Sequence, residues 1–215
     1  MLTDLDEIDQ DTVKSHNFWR VLLVFFLGVV CFLLTQVFTR VPLLGWLQKQ
    51  MGFLVWAMSY PLLSGILVAL SAGVFEESGR FAFKALALKP AKSPYWEPIV
   101  FGLGHGLCES IWLLRPLFGM ISLVGPGQFV LPIVERLLHI GFSVIVWNGF
   151  QLDNRWQYLV LAILGHGLVD ALIPLAGKLG LGTVELEAVF SGLTLLLVIY
   201  TVYSKRYYRK EESYE

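Results

Sequence analysis

The sequence predicts an all-α, polytopic membrane bundle of six to eight transmembrane helices, seven by the best count, around a central polar site. Three observations predict it. Of 215 residues, 56% are hydrophobic and only 15% charged, with a mean hydropathy of +0.65, whereas a soluble domain carries about a quarter charged residues. Apolar stretches near the length that crosses a bilayer, about 20 residues, recur from Phe18 to Tyr203. Inside those stretches sit Glu76, Glu77 and Arg80, His105 and Glu109, Glu135, Arg136 and His139, and His166 and Asp170. A charge at bilayer depth costs about 2.5–3.5 kcal/mol on insertion scales. These groups therefore face partners, water or a metal inside the bundle rather than lipid.

The elements follow in order. Residues 1–17 form an acidic tail, with Asp4, Asp6, Glu7, Asp9 and Asp11 preceding Lys14. A signal peptide has a basic start and a small-residue cleavage site, so residues 18–38 are expected as an uncleaved first helix. Residues 41–58 are interrupted by Gln48, Lys49 and Gln50 and form either a short span or a helix that starts along the interface. Pro61 suits a first helical turn. It opens a span over 62–88 long enough to emerge into Lys84, Lys89 and Lys92, with Pro90 and Pro94 ending it. Residues 98–114 are the next span. Residues 117–127, with Gly125-Pro126-Gly127, are a loop or re-entrant piece. Residues 128–150 and 156–175 are spans separated by the polar turn Asp153-Asn154-Arg155, and Pro174 is expected to shorten the second. The glycine-rich loop 177–182 leads to the last span, 183–203, and to a tail that starts basic with Lys205 and Arg206.

One transmembrane domain, residues 18–204, is therefore expected between an acidic N-terminal tail and a C-terminal tail over 205–215. The chain is a multi-pass protein of the cell membrane. Basic residues prefer the cytoplasmic side, which places the C-terminal tail inside. Seven crossings put the N-terminus outside and six put it inside. Nucleic acid is excluded as a partner, since there is no basic patch of the required size. Cys31 and Cys108 lie in apolar runs and give no disulfide framework.

The polar residues fall at helical spacing. Glu76 and Arg80 share a face, four residues apart with the acid first, the favourable order. Glu77 is rotated by about 100°, so one carboxylate can face a site while the other meets a neighbouring helix. An ion pair that only holds helices together is the competing reading. His105 and Glu109 also share a face, and an imidazole and a carboxylate one turn apart can both reach a metal, as in helical zinc sites. Glu135, His139 and Ser143 form one stripe, with Arg136 beside it. His139 is a ligand, a proton shuttle or a hydrogen-bonded core histidine. Asp170 either ligates or orients His166. Leu103-Gly104-His105-Gly106-Leu107 with Glu109 echoes Leu164-Gly165-His166-Gly167-Leu168 with Asp170.

Taken together, Glu-Glu-x-x-Arg, Gly-x-Gly-His-Gly-x-x-Glu, Glu-Arg-x-x-x-His-x-x-x-Ser and His-x-x-x-Asp resemble the YhfC family of intramembrane metalloproteases. That family is related to the CAAX prenyl endopeptidases, the bacteriocin-processing proteins and the PrsW-type proteases. The likeness runs from about Gly73 to Asp170. It implies that Glu76 is the general base activating water, supported by Glu77 and Arg80. It implies that His105 and His139 hold a metal or stabilise the oxyanion, and that Glu109, His166 and Asp170 complete the site. CAAX-type relatives space the arginine one residue further, so prenylated substrates do not carry over.

The expected function is hydrolysis of a peptide bond in a membrane-embedded or lipid-linked substrate by glutamate-activated water. The expected ligands are His105, Glu109, His139 and His166 around a divalent metal, zinc by preference. Glu135, Arg136, Ser143 and Asp170 are supporting residues. Two other classes stay open. One is a proton- or ion-coupled transporter, because buried acids and histidines also relay protons, or an inactive scaffold of the same fold. The other is a haem protein with paired histidine ligands.

Overall fold

The computed structural model describes residues 18–88, 92–115 and 130–208, without the side chains of 130–136. Expectations for residues 1–17, Lys89 and Pro90, the 117–127 loop, the last seven residues, and the side chains of Glu135 and Arg136 lie outside the described residues. Within them every regular element is helical. We number the helices α1 Phe18–Leu47, α2 Met51–Ser59, α3 Pro61–Leu86, α4 Trp96–Leu114, α5 Val130–Gln151, α6 Arg155–Leu179 and α7 Thr183–Ser204. A single 3-10 turn, Lys205–Tyr207, closes α7.

These seven helices are the expected all-α bundle. α1, α3, α6 and α7 are each long and apolar enough to cross a membrane. α4, of 19 residues, and α5, of 22, carry polar groups in their interiors. The interrupted stretch around 41–58 resolves into two pieces. Residues Val41–Leu47 continue α1, the chain breaks at Gln48–Gln50, and α2 has only nine residues. At 1.5 Å per residue α2 is about 14 Å long, too short for a hydrocarbon core of about 30 Å. Its composition is apolar throughout, so it lies at one end of the bundle without crossing.

The helices alternate in direction, and contacts mark which ends coincide. Arg20 at the start of α1 meets Glu97 at 3.2 Å, and Lys84 near the end of α3 meets the same carboxylate at 3.1 Å. The Tyr95 hydroxyl before α4 donates to the Thr201 carbonyl at 2.6 Å, and the Tyr208 hydroxyl donates to Asn148 Oδ1 at 3.0 Å. The starts of α1 and α4 and the ends of α3, α5 and α7 thus share one end. The start of α3 and the end of α6 share the other, where Gly65 lies against Pro174. The first helix begins and the last helix finishes at the same end of the bundle.

Two local expectations change. Lys84 does not emerge; it is buried against Glu97 and lies 5.9 Å from the Trp147 and Phe150 rings. Pro174 does not shorten α6, which continues to Leu179 and ends at Gly180 in the left-handed conformation (φ 70°), so the loop expected over 177–182 is reduced to 180–182.

α5 is the central helix. From Leu138 to Gln151 nearly every residue is buried, and Phe142, Ile145, Val146, Trp147 and Phe150 form the middle of the apolar core. Close approach of its neighbours needs bare backbone. A Cβ on Gly102 of α4 would fall 2.6 Å from Ile140 Cα and 2.7 Å from the His139 carbonyl oxygen. A Cβ on Gly73 of α3 would fall 2.4 Å from the Ile163 carbonyl oxygen and 2.8 Å from the Gly167 nitrogen of α6. Small residues at the crossing are how membrane helices reach van der Waals contact without a hydrophobic driving force between them. The polarity is arranged accordingly. Leu161, Leu164, Leu168, Leu195, Leu196 and Val202 are exposed, while Glu76, Glu77, Arg80, His105, His139 and His166 are buried.

Candidate active site

α3 supplies the centre of the site. Glu76, Glu77 and Arg80 are all buried on its inward face. Arg80 Nη1 donates to Glu77 Oε1, and Arg80 Nη2 lies 3.3 Å from Glu76 Oε2. The guanidinium also reaches α5, where Nη2 donates to His139 Nδ1 at 2.7 Å. One cation thus holds both carboxylates and a histidine from a second helix.

Glu76 Oε2 is the point on which three helices converge. His105 Nε2 of α4 is 2.8 Å away, His139 Nδ1 of α5 is 3.7 Å away and His166 Nε2 of α6 is 3.9 Å away. The other oxygen, Oε1, accepts from Gln36 Nε2 of α1. His166 Nδ1 bonds Glu77 Oε1 at 2.6 Å, which anchors α6 to the second acid of the pair. The imidazoles are held by rings as well. Phe142 stacks on His166 with 4.8 Å between centroids, and Phe32 meets His105 edge-on at 5.5 Å.

The donor set fits a divalent metal. Ligand atoms of Glu76, His105, Glu109 and His139 all lie within 4.8 Å of one another, and two imidazoles with two carboxylates are zinc-type ligands. One of these groups keeps unused valence, since His105 Nδ1 is buried without a hydrogen-bond partner, while Glu109 Oε2 pairs with His139 Nε2. A guanidinium can only donate, so His139 Nδ1 is the accepting nitrogen and Nε2 carries the ring proton when the imidazole is neutral. To hold a metal, His139 would give up either Arg80 at Nδ1 or the proton at Nε2.

The expected site residues divide as follows. Glu76, Glu77, Arg80, His105, His139 and His166 form the buried cluster. Of the four residues expected as ligands, His105, Glu109 and His139 converge with Glu76, whereas His166 is engaged by Glu77. Glu109 and Asp170 form the rim, their side chains 19% and 31% exposed against 1% for Glu76. Asp170 Oδ2 stands 3.9 Å from His166 Nε2, at ion-pair rather than hydrogen-bond range. Ser143 is buried one turn beyond His139 with its hydroxyl unpartnered, close to Gly102.

Between rim and cluster lies a cavity of about 40 Å³ lined by Glu109, His139, His166 and Asp170 with Phe142 and Val169. A water needs roughly 10–15 Å³ of such space, so two or three fit. Phe142 and Val169 also wall an open apolar groove of about 540 Å³ between α5, α6 and α7.

Sequence reasoning missed Gln36, Arg40 and Glu97. Gln36 was legible as a lone amide within an apolar run. α1 widens to π geometry over Leu33–Arg40, a local device that often marks functional positions. Arg40 Nη1 donates to Gln36 Oε1 at 3.0 Å, while its other nitrogens donate to the Val68 carbonyl at 2.7 Å and Ser71 Oγ at 2.8 Å. This fixes the amide so that its nitrogen faces Glu76.

A family model described as YhfC intramembrane metalloprotease matches residues 14–125, a span that contains Glu76, Glu77, Arg80, His105 and Glu109 and stops before His139. A Bacillus subtilis (strain 168) protein described as uncharacterized membrane protein YhfC is 28% identical over 186 residues, covering 68% of this chain and 69% of that one. No solved structure matches the chain.

Proposed function

We propose that this chain, which belongs to the YhfC intramembrane metalloprotease family, hydrolyses a peptide bond of a membrane-embedded or lipid-linked substrate with water activated by Glu76. One observation carries the reading: four helices deliver an acid pair, an arginine and three imidazoles to a single buried cluster centred on Glu76 Oε2. That concentration of charge is too costly in lipid to serve packing alone.

The roles follow from the contacts. His105, Glu109 and His139 would hold the metal, three protein ligands being the pattern that leaves a position open for water. When bound, the metal lowers the pKa of that water and polarises the scissile carbonyl. Glu76 takes the proton of the attacking water, since a base must lie within hydrogen-bond reach of the proton it abstracts. Gln36 and His105 hold the Glu76 carboxylate in place. Arg80 pairs with both acids and sets the ring of His139. His166, anchored by Glu77 and facing the water-sized cavity, donates to the developing oxyanion or the leaving amine. The reading is supported by access. Water enters at the Glu109–Asp170 rim, and an apolar segment approaches along the groove that shares Phe142 and Val169 with the cavity. Transport across the bilayer is less well served, because the fully buried Phe101 and Trp147 close the interior beyond the cluster.

The test is N-terminal profiling of membranes expressing the native chain beside Glu76→Gln, His105→Ala and His139→Ala, with elemental analysis of each purified protein. The native chain is expected to generate new N-termini inside membrane proteins and to carry one metal. The histidine variants lose both; Glu76→Gln loses cleavage and keeps metal. Cleavage that persists in all three variants overturns the proposal.

A further inference from the structure

A second buried polar cluster lies outside the site. Lys84 Nζ pairs with Glu97 Oε1 at 3.1 Å, the Trp147 indole N–H donates to the same oxygen at 2.9 Å, and Arg20 Nη2 meets Glu97 Oε2 at 3.2 Å. Lys84, Glu97 and Trp147 are buried; Arg20 is half exposed. Glu97 thus gathers three donors, Lys84, Trp147 and Arg20, that do not belong to the catalytic cluster.

The spacing relates the two clusters. Lys84 lies eight residues after Glu76 on α3, Glu97 eight before His105 on α4, and Trp147 eight after His139 on α5. α4 runs antiparallel to α3 and α5, so all three displacements point the same way along the bundle. Eight residues are about 12 Å of helix. Each helix therefore contributes one residue to the catalytic layer and one to a parallel layer two turns away. Between them lie Arg80, Phe101 and Ser143, four residues along in each helix.

We propose that Lys84 and Glu97, with Trp147, are positioning residues whose ion pair fixes the register of α3, α4 and α5 that brings Glu76, His105 and His139 together. The physical reason is directional. Apolar side chains against lipid or against each other tolerate a slide of one residue, whereas a slide strands Lys84 and Glu97 without their partners at low dielectric. Setting register is the best-attested role of buried polar groups. Phe101, its ring 5.0 Å from that of Trp147 and tilted by 49°, transmits the constraint through the layer between. As far as catalysis is concerned the proposal rests on the hydrolytic reading above; as far as geometry is concerned it does not.

The test is made on the full chain in detergent micelles. The chain has four histidines, so ring-nitrogen NMR spectra with 15N-histidine are assignable one by one. Lys84→Met and Glu97→Gln are expected to move the His105 and His139 ring nitrogens. Turnover should fall about a hundredfold, with KM within about twofold, as expected for catalytic groups displaced by about an ångström. Trp147→Phe, which keeps the ring and loses one N–H, moves the same resonances less. Lys84→Arg restores them, and Arg20→Met leaves them in place. Lys84→Met and Glu97→Gln proteins that fold with unmoved histidine nitrogens overturn the proposal. Should both fail to fold, unmoved nitrogens in Trp147→Phe overturn it. Shifted nitrogens in the variants, beside a native chain that cleaves nothing, would sink the hydrolytic reading and leave the register inference standing.

Discussion

Arg80→Met offers the most direct test of how the buried charges depend on one another. The guanidinium is fully buried and is shared among Glu77, Glu76 and His139. At the 3.3 Å separation from Glu76, a unit charge pair in an effective dielectric of 20 attracts by about 5 kcal/mol. Desolvation of the arginine opposes that gain. The acids also keep other donors once Arg80 is gone: Gln36 and His105 on Glu76, and His166 on Glu77. The net loss is therefore set by the stranded charge and comes to about 3–5 kcal/mol, the usual cost of removing one partner of a buried pair. Thermal or denaturant unfolding in detergent reads this directly. Glu77→Gln with Arg80→Met removes an acid together with its cation and should cost less than the two single changes added, with a coupling of about 1–3 kcal/mol. If Arg80→Met costs under about 1 kcal/mol, as an exposed pair would, then solvent screens these charges freely and the picture of buried, mutually dependent charges is wrong.

Three further outcomes follow. Gln36→Leu leaves Glu76 Oε1 without its donor and should destabilise by about 1–3 kcal/mol, while also lowering kcat; an unchanged kcat would remove α1 from the site. Gly73→Val drives a side chain into the Ile163 carbonyl and the backbone of Gly167 and should cost at least 1–3 kcal/mol by overpacking, seen as a lower unfolding temperature; a neutral result would mean that α3 and α6 do not cross there. Affinity tags at the two ends of the chain should be labelled from the same side of sealed vesicles, and labelling from opposite sides would require α2 to cross.

Much of this arrangement was legible in the sequence, for a physical reason. Charged residues inside apolar runs are expensive, so Glu76, Glu77, Arg80, His105, His139 and His166 announced themselves as interior groups. Their i, i+4 spacings placed them on common faces. What the spacing could not give was pairing between helices. Nothing local indicates that His166 belongs to Glu77 while His105 belongs to Glu76, since both choices have the same pattern. Lys84 was misjudged because a lysine near a helix end ordinarily extends to the interface; only its partner Glu97, thirteen residues on and across a turn, holds it inside. The break between α1 and α2 was visible in Gln48-Lys49-Gln50, but its consequence for topology depended on α2 being nine residues long.

The alternative of a purely structural ion pair at Glu76 and Arg80 loses its force once the helix crossings are considered. In water, burial of apolar faces would hold these helices together whatever their interior chemistry. In lipid that drive is missing, and association depends on close backbone contact and on polar contacts between helices. Here glycines at 73, 102 and 167 provide the first. The second is provided by the acids, the arginine and the histidines that also make up the candidate site, so fold and site are held by one set of bonds. Loss of chemistry alone is then a poor diagnostic for any of these residues. Glu76→Gln stands apart, because the amide keeps the shape and an acceptor oxygen for Gln36 while giving up the basicity that water activation needs. A folded, metal-bearing and inactive Glu76→Gln protein would separate the two roles; a folded and active one would leave the carboxylate with structural work only.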